Sequence, residues 1–196
     1  MSEQLVITLS REFGSAGHEI AERIAKDLGI KFYDRSMLDE IAGQMDVNIE
    51  VLEKYDEKPR NRILSRRVGK YSNSMETQFD FIREKAESGE SFVIVGRCSE
   101  TVLQDVEGMI SIFVNGDREC KVKRVMEKYG LSREDAFKKM ERHDFKRRRY
   151  HNRHSEHKWG DSRFYDICIN SSPLGVSGTV KVLEHYIEER KSVRPQ

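Results

Sequence analysis

A short loop of small residues follows the first apolar run of the chain and precedes a helical pattern. The apolar run is Leu5–Leu9, and the loop continues as SREFGSAGHEI over residues 10–20. Glycines in such a loop let backbone N–H groups converge on phosphate oxygens, and the start of the next helix adds positive potential. The order therefore predicts a phosphate-binding loop, although an ordinary strand–helix turn has a similar composition. The predicted phosphate-binding residues are Arg11, Gly14, Ser15, Ala16, Gly17, His18, Glu19 and Ile20.

This loop departs from the Walker A pattern GxxxxGK[ST]. Glu12 replaces the leading glycine, His18 replaces the lysine, and Glu19 replaces the hydroxyl residue that usually contacts magnesium. Histidine is a good phosphate ligand only when it is protonated, a state that a nearby phosphate favours. Arg11 could supply the positive charge that the lysine would otherwise provide.

Arginines also follow two other strand-like runs. Asp34 and Arg35 follow Lys31–Tyr33, and Arg97 follows Phe92–Val95 after one glycine. Parallel strands place such residues at one ligand-binding edge, where a guanidinium can bind phosphate with two hydrogen bonds. We expect all three at the acceptor site, with Arg35 and Arg97 binding the acceptor phosphate and Asp34 orienting it or organising magnesium. The alternatives are surface arginines at strand ends and an aspartate that only caps a helix.

A strongly basic segment spans residues 141–163 and contains eight Lys or Arg, four acids and four His. We interpret Arg142, Lys146 and Arg148 as catalytic groups, together with Arg97 and His18, because clustered cations neutralise charge during phosphoryl transfer. The first alternative is a solvated basic face. The second is a metal site at the closely spaced histidines, but no cysteine lies near them.

Five apolar runs alternate with helical patterns, which predicts an α/β domain with a parallel sheet. Apolar stripes predict helices around residues 20–28 and Thr179–Arg190, while Asp117 and Ser132 have the residue types of N-caps. Three of the runs are almost continuously apolar, as is typical of strands covered on both faces. The predicted strands are Leu5–Leu9, Lys31–Tyr33, Phe92–Val95, Met109–Val114 and Asp166–Ile169.

Four separated segments resemble the cytidylate kinase-like family. They are SREFGSAGHEIAERIAKDLGIKFYDR at 10–35, FVIVGRC at 92–98, KRVMEKYGL at 123–131, and KWGD with YDICINSS between 158 and 172. The resemblance implies a three-layer P-loop NTPase fold with a five-stranded parallel sheet, an acceptor-binding insert and a basic lid. It implies a single domain over residues 1–196, with the core at about 1–35, 91–140 and 164–196, the insert at 36–90 and the lid at 141–163.

The same resemblance implies ATP-dependent phosphoryl transfer to a nucleoside monophosphate, most closely CMP or dCMP, with ATP and Mg²⁺ as cofactors. Arg97 matches an arginine that contacts the acceptor phosphate, although Cys98 replaces the aspartate that follows it in cytidylate kinases. Asn170, Ser171 and Ser172 match a turn on the adenine side of ATP. Two alternatives stay open, a nucleotide-binding protein with impaired catalysis and a kinase for another small acceptor.

Composition argues against several other classes. A net charge of +1 gives no general attraction to nucleic acid, which leaves only the basic segments near 60–67 and 147–153 as an alternative nucleic-acid surface. No apolar run approaches the roughly 18 residues of a membrane span. Three cysteines without a CxxC pair predict a reducing cytoplasm, with Cys120 and Cys168 buried among apolar neighbours. The sequence makes no prediction of oligomeric state.

Overall fold

The computed structural model describes residues 4–34 and 78–193. Within these ranges, no helix is both long and apolar enough to cross a membrane. The elements are β1 (Val6–Arg11), α1 (Gly17–Asp27), β2 (Lys31–Tyr33), α2 (78–87), β3 (Phe92–Val95), α3 (Ser99–Val102), β4 (Ile110–Asn115), α4 (Arg118–Tyr129), α5 (Arg133–His154), a 3₁₀ turn (Ser162–Phe164), β5 (Ile167–Asn170) and α6 (Gly175–Ser192).

The five strands form one parallel sheet in the order β2-β3-β1-β4-β5. The central strand β1 pairs with β3 on one side and β4 on the other, so that Leu9 lies opposite both Val95 and Ile112. All five predicted strands are present, which confirms the predicted α/β fold with a five-stranded parallel sheet. The residues that follow the strands are therefore brought to one edge.

Helices cover both faces of the sheet and explain why its central strands are apolar throughout. On one face, Ile20 and Ile24 of α1 and Leu183 and Ile187 of α6 are fully buried against the strands. On the other face, α2 buries Ile82 within a second apolar cluster. Each such side chain contributes about 1.5–3 kcal/mol when it leaves water, so these contacts fix the layers.

Helix α5 carries the predicted lid away from the core. It begins after Ser132, whose hydroxyl accepts the N–H of Asp135 at 3.1 Å, as the capping pattern predicted. Ala136 and Met140 pack against α4 in a third apolar cluster. The helix runs without a break through residues 140 and 141, where we placed the boundary between core and lid. That domain division stays a prediction.

The expected burial of Cys120 and Cys168 is wrong, because both thiols are exposed. Cys168 lies on β5, an edge strand in which partly buried and exposed residues alternate. Cys120 lies on the outer side of α4, whose buried positions are Lys121, Val122 and Val125. Apolar sequence neighbours thus did not indicate which face of each element meets the core.

Candidate phosphate-binding site

The loop between β1 and α1 is tied to the neighbouring strand and helix through Glu12. The N–H of Glu12 donates to the carbonyl of Val114 at 3.0 Å. Its carboxylate accepts from Nζ of Lys121 at 2.7 Å and from the N–H of Gly116 at 3.2 Å. Lys121 is buried. Glu12, which replaces the leading glycine of the Walker pattern, therefore anchors the loop to the turn between β4 and α4.

Small residues in the loop are required by its geometry. Gly14 and Ala16 both have positive φ, at 84° and 60°. A Cβ atom on Gly17 would lie only 2.5 Å from the Cβ of Arg11. Ser15 is fully buried, and its hydroxyl donates to the carbonyl of Glu12 at 2.9 Å. The loop can thus fold tightly against the end of β1 only because its side chains are short.

The N-terminus of α1 is open to an anion. Its N-cap is Ala16, which makes no side-chain capping hydrogen bond. The first helical N–H bond runs from Ile20 to the carbonyl of Ala16 at 3.0 Å, and the Ile20 side chain is buried in the core. The N–H groups of Gly17, His18 and Glu19 precede that bond and have no intrahelical acceptor. Such a helix end attracts phosphate.

His18 lies on the side of the loop that faces β2. Its Nε2 is 3.6 Å from Oδ2 of Asp34, and its ring meets the edge of Phe32 with centroids 5.4 Å apart. The structure thus brings together two predicted site residues, the histidine of the loop and the aspartate after β2. Arg35 lies outside the described residues, so its predicted contact with the acceptor stays a prediction.

Three guanidinium groups from three separate elements converge beside the loop; we call Arg11, Arg97 and Arg147 the arginine cluster. Nη1 of Arg147 donates to the carbonyl of Arg11 at 3.1 Å. Nη1 of Arg11 lies so close to Gly96 that a Cβ there would be 2.4 Å from it. Burial lowers the pKa of Arg11 well below its usual value, and the charges of Arg147 and Arg97 lower it further.

Among residues 4–34 and 78–193, the carboxylates near the arginine cluster offset only part of its positive charge. Nε of Arg11 is buried and has no hydrogen-bond partner in the described part of the chain. Asp34 and Asp144 raise the pKa of Arg11, but their effects are smaller than those that lower it. Burial also lowers the pKa of Arg147, against the opposing charge of Asp144. A buried donor among like charges is costly, and a phosphate would satisfy it.

A strained turn directs Arg97 into this cluster. Gly96, Arg97 and Cys98 all have positive φ, at 83°, 60° and 52°. Two successive non-glycine residues in this region are uncommon, and such strain is concentrated at functional sites. The N–H of Gly96 donates to the carbonyl of Leu9 at 3.1 Å, and the Arg97 guanidinium lies 5.3 Å from the ring centre of Tyr150. The turn therefore points Arg97 across β1 toward α5.

The inner face of α5 does not include the three residues of this segment that we predicted to be catalytic. Arg142, Lys146 and Arg148 are exposed, and Arg148 lies 5.8 Å from the ring of Trp159. The inner position belongs to Arg147, which the sequence reasoning did not select. The missed signal is a helical spacing of inner residues, since these fall four or three positions apart. The inner residues are Ala136, Met140, Asp144, Arg147 and His151.

The inner face also contacts the loop through Asp144. One oxygen of this carboxylate accepts the N–H of Phe13 at 2.6 Å. Burial raises the pKa of Asp144, whereas the hydrogen bond from Phe13 and the charge of Arg147 oppose that rise. The Phe13 ring stacks on His143 with centroids 4.2 Å apart. Helix α5 is thus docked on the phosphate loop by polar and aromatic contacts.

The turn after β5 is bonded to the same loop. The hydroxyl of Ser171, which is fully buried, donates to the carbonyl of Ser15 at 2.7 Å. The Asn170 amide donates to the carboxylate of Asp117 at 2.8 Å, and the hydroxyl of Ser172 accepts the N–H of Asp117 at 2.7 Å. Asp117, expected to cap α4 with its side chain, makes no such bond. The turn is thus next to the loop, and its contact with adenine stays a prediction.

Comparisons with known proteins identify the family of this chain. A family model described as the cytidylate kinase-like family matches residues 6–173. Cytidylate kinases from Pyrococcus horikoshii and Thermococcus kodakarensis are each 26% identical to this chain. The matches cover 95% and 94% of this chain and 91% and 88% of the two kinases, respectively.

Solved structures of other proteins have a similar fold. The crystal structure of an uncharacterized protein from Eubacterium ventriosum is 39% identical, with a TM-score of 0.77 over 94% of this chain and 99% of its own. Shikimate kinase from Bacteroides thetaiotaomicron, at 15% identity, has a TM-score of 0.56 over 94% of this chain and 98% of its own, and so shares the P-loop kinase fold. Because the family model extends from β1 to the turn beyond β5, this chain belongs to the cytidylate kinase-like family.

Proposed function

We propose that this protein is a kinase that transfers the γ-phosphoryl group of ATP to a nucleoside monophosphate, with CMP or dCMP as the best candidate acceptor. The observation that carries the proposal is that two groups of anion-binding donors lie at one edge of the sheet. One is the open N-terminus of α1, and the other is the arginine cluster. A reaction between two phosphorylated substrates needs one site for each.

The donor site is formed by the loop. The N–H groups of Gly17, His18 and Glu19 would hold the donor phosphates, and a protonated His18 would add charge where the Walker lysine is absent. The turn at Asn170–Ser172 would lie on the adenine side, because its bond to the carbonyl of Ser15 places it against the loop.

The acceptor site is formed by the arginine cluster. Arg97 would bind the acceptor phosphate together with Arg11, which the sequence assigned to the donor phosphates. Arg147 would neutralise the phosphoryl group during its transfer. Arg142, Lys146 and Arg148 are exposed in the present arrangement. Their proposed catalytic roles stay a prediction, and Arg147 is the arginine of this helix that contacts the loop segment.

Magnesium fits this site mainly through the nucleotide. Bound Mg²⁺ neutralises the donor phosphates. Glu19 occupies the place of the usual hydroxyl ligand, so phosphate oxygens and water would supply most of the coordination. Asp34 lies beside His18 at this edge and is the carboxylate that could bind a coordinated water. The acceptor phosphate is already ionised at neutral pH, so no residue is needed to remove a proton from it.

The direct test is diphosphate formation by the purified protein with ATP, Mg²⁺ and each nucleoside monophosphate in turn. We expect CDP from CMP, and a loss of turnover of about 10³-fold in Arg97→Ala with an unchanged unfolding midpoint. Arg153→Ala, on the exposed side of α5, is the matched control. Binding of ATP without transfer to any acceptor would contradict the proposal and favour a nucleotide-binding protein. Transfer to a different small acceptor alone would replace the substrate class.

A further inference from the structure

A buried hydrogen bond between a histidine and a carboxylate joins elements of the arginine cluster and has no part in the proposed transfer. Nε2 of His151 is 2.7 Å from Oε1 of Glu100, and the two side chains are only 5% and 7% exposed. The other carboxylate oxygen, Oε2, accepts from the hydroxyl of Ser10 at 3.3 Å. One buried carboxylate therefore joins β1, α3 and α5.

The three joined residues lie close along the chain to the three arginines. Each of the three hydrogen-bonded residues therefore lies on the same segment of chain as one of the arginines. Ser10 directly precedes Arg11, Glu100 lies three residues after Arg97, and His151 lies one helical turn after Arg147.

The bond between Glu100 and His151 opposes the repulsion among the arginines in a part of α5 that lies beyond its apolar packing on α4. Its apolar packing on α4 is confined to its first half, at Ala136 and Met140. Beyond these residues, the bond from Phe13 to Asp144 holds the helix before Arg147, and the bond to Glu100 holds it after Arg147. The end of the helix also contacts Phe79, through the ring of His154, and Thr101, through the hydroxyl of Ser155. A buried polar pair adds little net stability over an apolar pair, so its value here is geometric.

We propose that Glu100 and His151 are positioning residues that set the spacing between Arg97 and Arg147 for phosphate binding. The inference rests on the proposed function, because a phosphate ligand gives this spacing its chemical consequence. Glu100 acts at the end of the strained turn that carries Arg97, and His151 acts on the helix that carries Arg147. Both act through the arginines.

The test is calorimetric titration with inorganic pyrophosphate. We expect His151→Ala to weaken binding about tenfold, because small displacements of binding groups have large effects. In an Arg147→Met background the same change should weaken binding by less than about twofold, because His151 acts through Arg147 and residues that act through one another are not additive. His151→Gln keeps an N–H donor for Glu100 and should restore most of the affinity. Equal losses in both backgrounds would overturn the positioning role.

A second pair of variants keeps the test decisive if His151→Ala does not fold. Glu100→Gln removes the buried charge, and Glu156→Gln makes the same change at an exposed position. Weaker binding in the first variant alone supports the proposal, and wild-type binding in both overturns it. If Arg97→Ala itself binds pyrophosphate normally, the arginine cluster is not a phosphate site. That result would overturn the proposed function together with the positioning role.

Discussion

The two proposed anion sites of this protein are built in different ways. The loop offers backbone N–H groups, and Glu12, Ser15 and the tight packing at Gly17 hold it in place. The arginine cluster offers side chains that come from three elements and repel one another. Backbone donors keep their positions as long as the local fold persists, whereas guanidinium groups depend on their neighbours. Changes in the loop should therefore cost stability, and changes in the cluster should cost mainly activity.

The largest expected effect is in the arginine cluster. Arg147→Met should lower kcat/KM for nucleotide phosphorylation about 10²-fold, because it removes charge stabilisation at the transferring group. The unfolding midpoint should change little, because relief of the repulsion among the three arginines opposes the loss of the Arg147 contacts with the Arg11 carbonyl and with Asp144. Arg148→Met, at the exposed neighbouring position, should lose less activity. A destabilised Arg147→Met with normal activity would assign this residue to the scaffold.

The second largest effect is expected at Lys121, which binds the Glu12 carboxylate of the loop. Lys121→Met leaves the Glu12 carboxylate without its cation, and we expect the free energy of unfolding to fall by about 2 kcal/mol. Denaturant unfolding measures this change, and the exposed Lys123→Met is the control. Adding Glu12→Gln should recover part of the loss. Wild-type stability in Lys121→Met would show that the loop does not depend on this pair.

A smaller effect is expected at Gly17. Alanine usually stabilises a helix relative to glycine, but here the added Cβ would press on Arg11 at 2.5 Å. Gly17→Ala should therefore lower the free energy of unfolding by about 1–2 kcal/mol and weaken ATP binding. In Gly178→Ala of α6, the added Cβ would meet Leu174 at 3.0 Å, so its cost should be smaller. A stabilised Gly17→Ala would mean that the loop relaxes easily.

The smallest effect is expected at His143 of α5, which stacks on Phe13 of the loop. Burial, together with the smaller effects of the charges of Arg147, Lys139, Lys146 and Arg142, lowers the pKa of His143 from 6.5 to about 4. The unfolded chain then binds more protons than the folded one between these pH values, so acidification from pH 6.5 to 4 lowers stability. His143→Phe keeps an aromatic ring for Phe13 and should reduce this loss by about 1 kcal/mol, allowing for partial exposure. If the stability of the wild type and of His143→Phe depended on pH to the same extent, His143 would not be the cause of the loss.

The sequence predicts those parts of the fold and site that have a local cause. The strands follow from continuous apolar runs, and the loop follows from its small residues after β1. Arg97 follows from its place after a buried strand. The choice between Arg147 and Arg148 was harder, because adjacent helical residues point about 100° apart and only the inner face of α5 distinguishes them. Glu100 and His151 meet across 51 positions, and no local pattern indicates that pairing.

The bond between Ser171 and Ser15 has a consequence for how the protein is made. The two residues are 156 positions apart, and the loop also depends on Val114 and Lys121. Because a ribosome delivers the N-terminal end first, the glycine-rich segment emerges long before these partners. A nascent chain that stops short of β5 would carry the loop sequence without its full set of supports. The proposed nucleotide site, although it begins at residue 11, would therefore be among the last parts of the molecule to be completed.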